Sequence, residues 1–62
     1  MENYEIRIVR SGRGPFIYAC PHTSDFAAIR RAQRLAEEGD VVEVWRGLDC
    51  VYTSISERKR VH

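Results

Sequence analysis

Apolar and charged residues alternate at the start of the chain, and this period of two predicts a β-strand over Tyr4–Arg10. Tyrosine and isoleucine share one side of this strand, and glutamate and arginine share the other, which is typical of a half-buried strand. Two glycines and a proline in Ser11–Pro15 predict a loop. A second strand, Phe16–Cys20, is apolar on both sides. The sequence therefore leaves open which of its two sides is buried: Phe16, Tyr18 and Cys20, or Ile17 and Ala19.

A helical period follows the second strand. Thr23, Ser24 and Asp25 offer N-cap side chains, and Gly39 suits the left-handed position that often follows a helix. The pattern therefore predicts a helix over Asp25–Glu38. Its apolar residues form one stripe at helical spacing: Ala28, Ile29, Ala32, Leu35 and Ala36.

Two further apolar runs, Val41–Arg46 and Cys50–Ile55, predict a β-hairpin. The residue after the first run, Gly47, suits the first central position of a two-residue type II′ turn. The alternating pattern of both strands agrees with that register. The polar and basic segment 56–62 is predicted to be a tail or the end of the last strand.

The predicted fold is α+β: one domain over residues 1–62 in ββαββ order, a four-stranded, mainly antiparallel sheet with one helix packed on one face. One helix can cover only one face of such a sheet. The predicted hairpin register pairs Trp45 with Cys50 and Glu43 with Tyr52, on the side opposite the valines. We expect the uncovered face to carry a candidate interaction surface. Its predicted members are Trp45, Tyr52, Glu43, Arg7 and Tyr18.

The small size of the chain indicates that this surface has a partner. With 62 residues and 44% hydrophobic residues, the chain is too apolar to be disordered, but a core of this size supplies at most about 3–5 kcal/mol. Such domains commonly gain stability from a disulfide, a metal or a partner. We expect a homodimer, or a complex with another protein, formed through the uncovered face or an edge strand.

A local group of arginines makes nucleic-acid binding an alternative, although the net charge does not favour it. The net charge of +1 gives no global field that favours nucleic acid or an anionic membrane. Arg30, Arg31 and Arg34 nevertheless form a candidate basic patch on the predicted helix, which could contact phosphates, and aromatic residues on an open sheet can stack bases. Glu37 and Glu38 lie one turn further on, so a helix surface whose charges compensate each other is the favoured interpretation.

The sequence contains no motif that predicts catalysis, a cofactor or a metal site. Cys20 and His22 are close in the chain, but Cys50 and His62 lie far from them, unlike the close ligand pairs of structural zinc sites. Helix capping explains the hydroxyl and carboxyl groups at 23–25. We therefore expect a protein that is not an enzyme, with reduced cysteines and no membrane segment or signal peptide, in the cytoplasm.

One stretch of the chain resembles known sequences, and the composition separately adds a third possible function. The stretch Ala28–Gly47, AIRRAQRLAEEGDVVEVWRG, joins an alanine-rich helix through Gly-Asp to a Val-Glu-Val-Trp-Arg-Gly strand. It resembles short ββαββ proteins of GC-rich bacteria and their phages that have no known activity, so it implies no functional residue. Small size and an arginine-rich surface also fit a phage-type or host-defence adaptor that binds a larger complex.

Overall fold

The computed structural model describes residues 1–55 and confirms the predicted α+β fold in ββαββ order. Its elements are β1 (Glu2–Arg10), β2 (Arg13–His22), α1 (Asp25–Leu35), β3 (Val41–Arg46) and β4 (Asp49–Thr53). The strands form one antiparallel sheet in the order β2-β1-β3-β4, and α1 packs on one face. The predicted tail at 56–62, with the cations of 58–60, lies outside the described residues.

The core lies between α1 and the two central strands. The period of two in β1 directs Tyr4, Ile6 and Ile8 towards the helix. The buried apolar residues are Tyr4, Ile6, Ile8, Ala28, Ala32, Val42 and Val44. The covered face is the side of the sheet that bears Tyr4, Ile6, Ile8, Val42 and Val44. The open face is the other side, which bears Glu5, Arg7, Val9, Ile17, Ala19, Glu43 and Trp45.

The helix ends earlier than predicted. It stops at Leu35 rather than Glu38, because Asp40 organises a turn that replaces the last helical turn. The Asp40 carboxylate accepts the Glu37 N–H at 2.8 Å, and the Asp40 N–H donates to the Glu37 carbonyl at 3.0 Å. Gly39, with φ at 89°, lies inside this turn and not directly after the helix.

The β2 strand is longer than the predicted Phe16–Cys20, because Pro21 does not end it. Pro21 pairs with Asn3 of β1 and lies in an edge strand, where a missing N–H does not interrupt the sheet. The irregularity near the start of β2, between the pairs of Ile8 and Arg10, lies beside Pro15. Proline and bulges at an edge both discourage pairing with a further strand.

The β3–β4 hairpin begins in the predicted register and then shifts by one residue. Gly47 has φ at 62°, as the first central residue of a type II′ turn requires. Val51 is an extra residue in β4 without a partner in β3. Beyond Val51 the pairing is shifted, so the predicted pair of Glu43 with Tyr52 is wrong. The observed pairs are Arg46–Asp49, Trp45–Cys50, Val44–Tyr52 and Glu43–Thr53.

This shift moves Tyr52 to the covered face. A one-residue shift of register sends a side chain to the opposite side of a sheet. Tyr52 and Val51 both pack against the core, whereas Thr53 stands opposite Glu43. The predicted last strand also ends at Thr53 instead of Ile55.

Candidate interaction surface

The centre of the open face is Trp45, which lies among charged side chains of β1 and β3. The guanidinium carbon of Arg7 is 4.8 Å from the centroid of the indole ring, within cation–π range. The indole Nε1–H donates to Glu43 Oε1 at 2.9 Å, and Arg7 Nε–H donates to Glu5 Oε2. The charged groups at the centre of this face therefore contact each other or the ring.

The pairing of β1 with β3 brings these residues together. Glu5 stands opposite Trp45, and Arg7 stands opposite Glu43. Directly paired residues in antiparallel strands project on the same side, with Cβ atoms about 4.5–5.5 Å apart. Two glutamates, one arginine and one tryptophan thus form a single cluster, the Trp45 cluster.

Apolar side chains flank the Trp45 cluster. Ile17 projects beside Arg7 from β2 and is 55% exposed, a large fraction for an isoleucine in a strand. Val9 of β1 pairs with Val41 of β3, and Val9 is also exposed. A shallow hollow of about 190 Å³ is lined by Arg7, Val9, Pro15, Val41 and Glu43. The open face thus combines apolar area with paired charges.

The structure brings together three of the five residues predicted for this surface: Trp45, Glu43 and Arg7. The placement of the other two on the uncovered face is wrong. Tyr52 pairs with Val44 because of the extra residue in β4. Tyr18 pairs with the core residue Ile6, so it lies on the helix side of β2.

Three apolar members of the open face were not singled out from the sequence: Val9, Ile17 and Ala19. Ile17 belongs to a strand that is apolar on both sides, so the alternation of residues could not orient it. The structure places Phe16, Tyr18 and Cys20 on the helix side and Ile17 and Ala19 on the open side. The helix does not extend far enough to bury the first set, and Tyr18 remains 41% exposed.

The predicted basic patch lies on the outward side of α1. Arg30, Arg31 and Arg34 are all exposed and, together with Ala27, line a hollow of about 280 Å³. Within residues 1–55, none of the three arginines forms an ion pair.

The predicted compensation of this patch by glutamates is therefore wrong. Arg34 does not pair with Glu37 or Glu38 in the described part of the chain. The helix ends at Leu35, so the two glutamates are not on a continuing helical turn, and the spacing that brings residues three or four apart together no longer applies. Glu37 instead approaches Arg10 at 3.9 Å.

One network of polar side chains ties the start of α1 to the sheet. Ser24 is the N-cap and accepts the Ala27 N–H at 3.1 Å. The Tyr4 hydroxyl donates to Asp25 Oδ1 at 2.6 Å, and Arg46 Nη1 donates to the same carboxylate at 2.8 Å. These bonds lower the pKa of Asp25, the Tyr4 hydrogen bond most. The same hydrogen bond raises the pKa of Tyr4.

A second network holds the opposite end of the covered face. Arg10 donates through Nε and Nη2 to the buried carboxylate of Asp40, at 3.1 Å and 3.0 Å. This contact, followed by the Glu37 backbone N–H, lowers the pKa of Asp40. Both networks fasten the helix layer to the strands, so they serve the fold and not the open face.

Among residues 1–55, no three or more His, Cys, Asp or Glu side chains are grouped so that they could hold a metal ion. In the same part of the chain, no helix has the length and apolar character needed to cross a bilayer.

Comparison of the chain with protein-family models, with curated proteins and with solved structures found no match. The resemblance to short proteins of GC-rich bacteria and phages stays a prediction. The function of this chain is therefore argued from its own surfaces, above all from the Trp45 cluster and from the α1 arginines, which form no ion pair within residues 1–55.

Proposed function

We propose that this chain is a protein-interaction domain that binds a second copy of itself through the open face. The observation that carries the proposal is the pairing inside the Trp45 cluster. Burial of an unpaired charge costs several kcal/mol, in the range of about 3–5. Here Arg7 already contacts Glu5 and the indole ring, and Glu43 accepts the indole N–H. A second sheet can cover these groups without leaving one of them without a partner.

The choice of a second copy as the partner follows from charge and from the edges. The open face carries both signs, Glu5 and Glu43 against Arg7, so two copies related by a two-fold axis can match opposite charges. Pro21 and the irregularity beside Pro15 make β2 a poor edge for strand addition. Association through the face therefore fits this chain better than association through that edge.

Two neighbouring residues of β2 provide a matched test. Ile17 projects on the open side and Tyr18 on the helix side, and both are exposed, so lysine at either position leaves the core intact. We expect the natural chain to sediment near twice its monomer mass of 7.2 kDa at micromolar concentration. Ile17→Lys should sediment as a monomer, whereas Tyr18→Lys should remain a dimer.

Other outcomes would contradict the proposal in distinct ways. Loss of the dimer in Tyr18→Lys but not in Ile17→Lys would indicate that the interface lies on the helix side of β2. A natural chain that stays at 7.2 kDa across the concentration range would exclude self-association. In that case the open face would serve a different protein, as a phage-type or host-defence adaptor requires.

A second candidate function is binding to nucleic acid, which the arginines of α1 favour. Arg30, Arg31 and Arg34 have no ion-pair partner within residues 1–55, so phosphates would not compete with carboxylates for them. Three phosphate contacts on duplex DNA predict a log–log salt slope of about −2.7.

Titration with single- and double-stranded oligonucleotides at low salt tests this candidate. Replacement of Arg31 by alanine should reduce the slope by about 1, whereas Tyr18→Lys adds a cation elsewhere and serves as a control for net charge. Absence of binding at low salt would exclude the candidate. We also propose a cytoplasmic location for the chain, which is compatible with the two free thiols Cys20 and Cys50.

A further inference from the structure

Cys20 and His22 form a close pair on the helix side of β2. They are two residues apart in a strand, so their side chains project on the same side. The sulfur Sγ of Cys20 is 3.1 Å from Nε2 of His22. Both side chains are partly exposed, so a reagent in solution can reach the sulfur.

The imidazole ring of His22 is held in place by Tyr4 of β1. Its centroid is 5.9 Å from that of Tyr4, with the rings edge to face. Tyr4 is itself buried and fixed by its hydrogen bond to Asp25. This ring contact keeps Nε2 directed at the sulfur.

The hydrogen bond between the two side chains survives proton transfer. In the tautomer whose Nε2 carries no proton, the thiol S–H donates to Nε2, and after transfer the imidazolium N–H donates to the thiolate. His22 can therefore act as a general base without losing its contact with Cys20. The thiolate is the nucleophilic form of cysteine.

The second cysteine provides an internal comparison. Cys50 lies in β4 and is more exposed than Cys20, but its Sγ is 3.4 Å from the backbone carbonyl of Tyr52, to which it donates. A carbonyl oxygen cannot take up the thiol proton, and it lies close to any negative charge that forms on the sulfur. The greater exposure of Cys50 therefore favours reaction at Cys50, whereas the neighbouring base His22 favours reaction at Cys20.

The sheet topology keeps the two cysteines apart. Cys20 is in β2 and Cys50 is in β4, the two edges of a four-stranded sheet. Three strand spacings of about 4.8 Å separate them, whereas a disulfide needs Cα atoms within about 7 Å. A disulfide at either sulfur must therefore involve a thiol from outside the chain.

We propose that Cys20 is a site of mixed-disulfide formation, activated by His22, for low-molecular-weight disulfides. His22 Nε2 takes the thiol proton, and the thiolate attacks one sulfur of the disulfide. A bond forms between Sγ and that sulfur while the S–S bond of the reagent breaks. The departing sulfur leaves as a thiolate and takes up the proton from His22, so Cys20 is oxidised and one reagent sulfur is reduced.

The test uses 4,4′-dithiodipyridine, a neutral disulfide whose released 4-thiopyridone is followed by absorbance. The single-cysteine variants Cys50→Ser and Cys20→Ser isolate each thiol. Because Cys50 pairs with Trp45 on the open face, the reactions are run at submicromolar protein, where association through that face does not shield it. We expect Cys20 to react at least tenfold faster than Cys50 at pH 7.

His22→Gln separates general-base activation from a structural role. Glutamine can form a hydrogen bond to the sulfur but cannot take its proton. The variant should slow Cys20 by a factor of ten or more, and the rate at Cys50 in the same molecule should not change. Faster reaction at Cys50 than at Cys20, or an unchanged Cys20 rate in His22→Gln, would overturn the proposal.

Discussion

The two faces of this sheet are built from the same strands but differ in what surrounds their side chains. On the covered face, Ile6 and Ile8 are fully buried against the helix, and polar groups occur as anchored networks at the ends. On the open face, the alternate residues of β1, Glu5 and Arg7, contact each other at the centre, and Arg7 also contacts the Trp45 ring. Neighbouring residues of one strand thus belong to two different environments.

This difference separates stability from interaction. A covered face with an apolar centre draws its free energy from removal of apolar area from water. An open face with paired charges and flanking apolar residues contributes little to folding, but it is suited to contact a partner. Substitutions on the two faces should therefore have different effects, and the following predictions are arranged from the largest effect to the smallest.

The largest effect is expected from truncation in the centre of the covered face. Ile6→Ala removes buried methyl groups between β1, β3 and α1 and should cost about 2–5 kcal/mol, which approaches the whole stability of a small domain. Urea unfolding at low protein concentration measures this cost. Ile17→Ala is the matched control on the open face and should change stability by about 0.5 kcal/mol or less.

Equal costs for the two isoleucine substitutions would contradict the separation between the faces. A large cost at Ile17 in the monomer would mean that the open face is part of the folding core. A small cost at Ile6 would mean that the helix layer is not held by the apolar contacts of the covered face.

The next effect is expected from acid, through the networks at the ends of the covered face. The folded state lowers the pKa of both Asp25 and Asp40, below the unfolded value of about 3.9. Their contribution to stability is therefore present above that value and is lost as pH falls through it towards the folded pKa values. The urea midpoint should stay level above about pH 5 and decline from about pH 4 downwards.

Asp40→Asn tests the origin of this acid sensitivity. Asparagine keeps an oxygen that can accept from the Glu37 N–H, but it does not titrate and does not attract the Arg10 guanidinium. The variant should be less stable than the natural chain at pH 7 and should lose less stability between pH 5 and pH 3. An unchanged acid profile would exclude Asp40 as a source of the effect.

A smaller effect is expected at the helix N-cap. Ser24 Oγ accepts the Ala27 N–H, and Ser24→Ala should cost about 0.5–2 kcal/mol. Ser24→Asp keeps a capping oxygen and should restore most of this stability. Thermal unfolding followed by circular dichroism compares the two variants. Equal melting temperatures would show that the cap does not contribute.

A comparably small effect on folding is expected at Trp45. Its indole ring is partly exposed and lies outside the core, so Trp45→Ala should cost about 1 kcal/mol in the monomer. Its effect on association should be much larger, because tryptophan often dominates the binding energy of an interface. A sizing column and a thermal melt of the same sample separate the two effects. A cost near that of Ile6→Ala would contradict this placement of Trp45.

The sequence alone predicted the element order, the start of the helix and the type II′ turn, because each depends on local residue types. It misplaced Tyr52, because the alternation of residues does not reveal the extra residue at Val51 that shifts the register. It left Ile17 unoriented, because β2 is apolar on both sides. It also extended the helix past Leu35, because the turn that ends it depends on the tertiary contact between Arg10 and Asp40.

For the candidate surface, the sequence predicted which strand each residue belongs to, but not which residues contact each other across strands. The contact of Arg7 with Trp45 requires the pairing of β1 with β3, which are separated by β2 and the helix in the chain. The same limit applies to the basic patch, because the absence of partners for Arg34 within residues 1–55 follows from where the helix ends.

Quenching of Trp45 fluorescence by acrylamide tests the central claim, that the open face is the surface where two copies meet. The chain has one tryptophan, so the signal reports this face alone. As protein concentration rises from nanomolar to hundreds of micromolar, the quenching constant should fall and the emission maximum should shift to the blue. A quenching constant that stays the same over that range would show that the open face remains in water and would contradict the account.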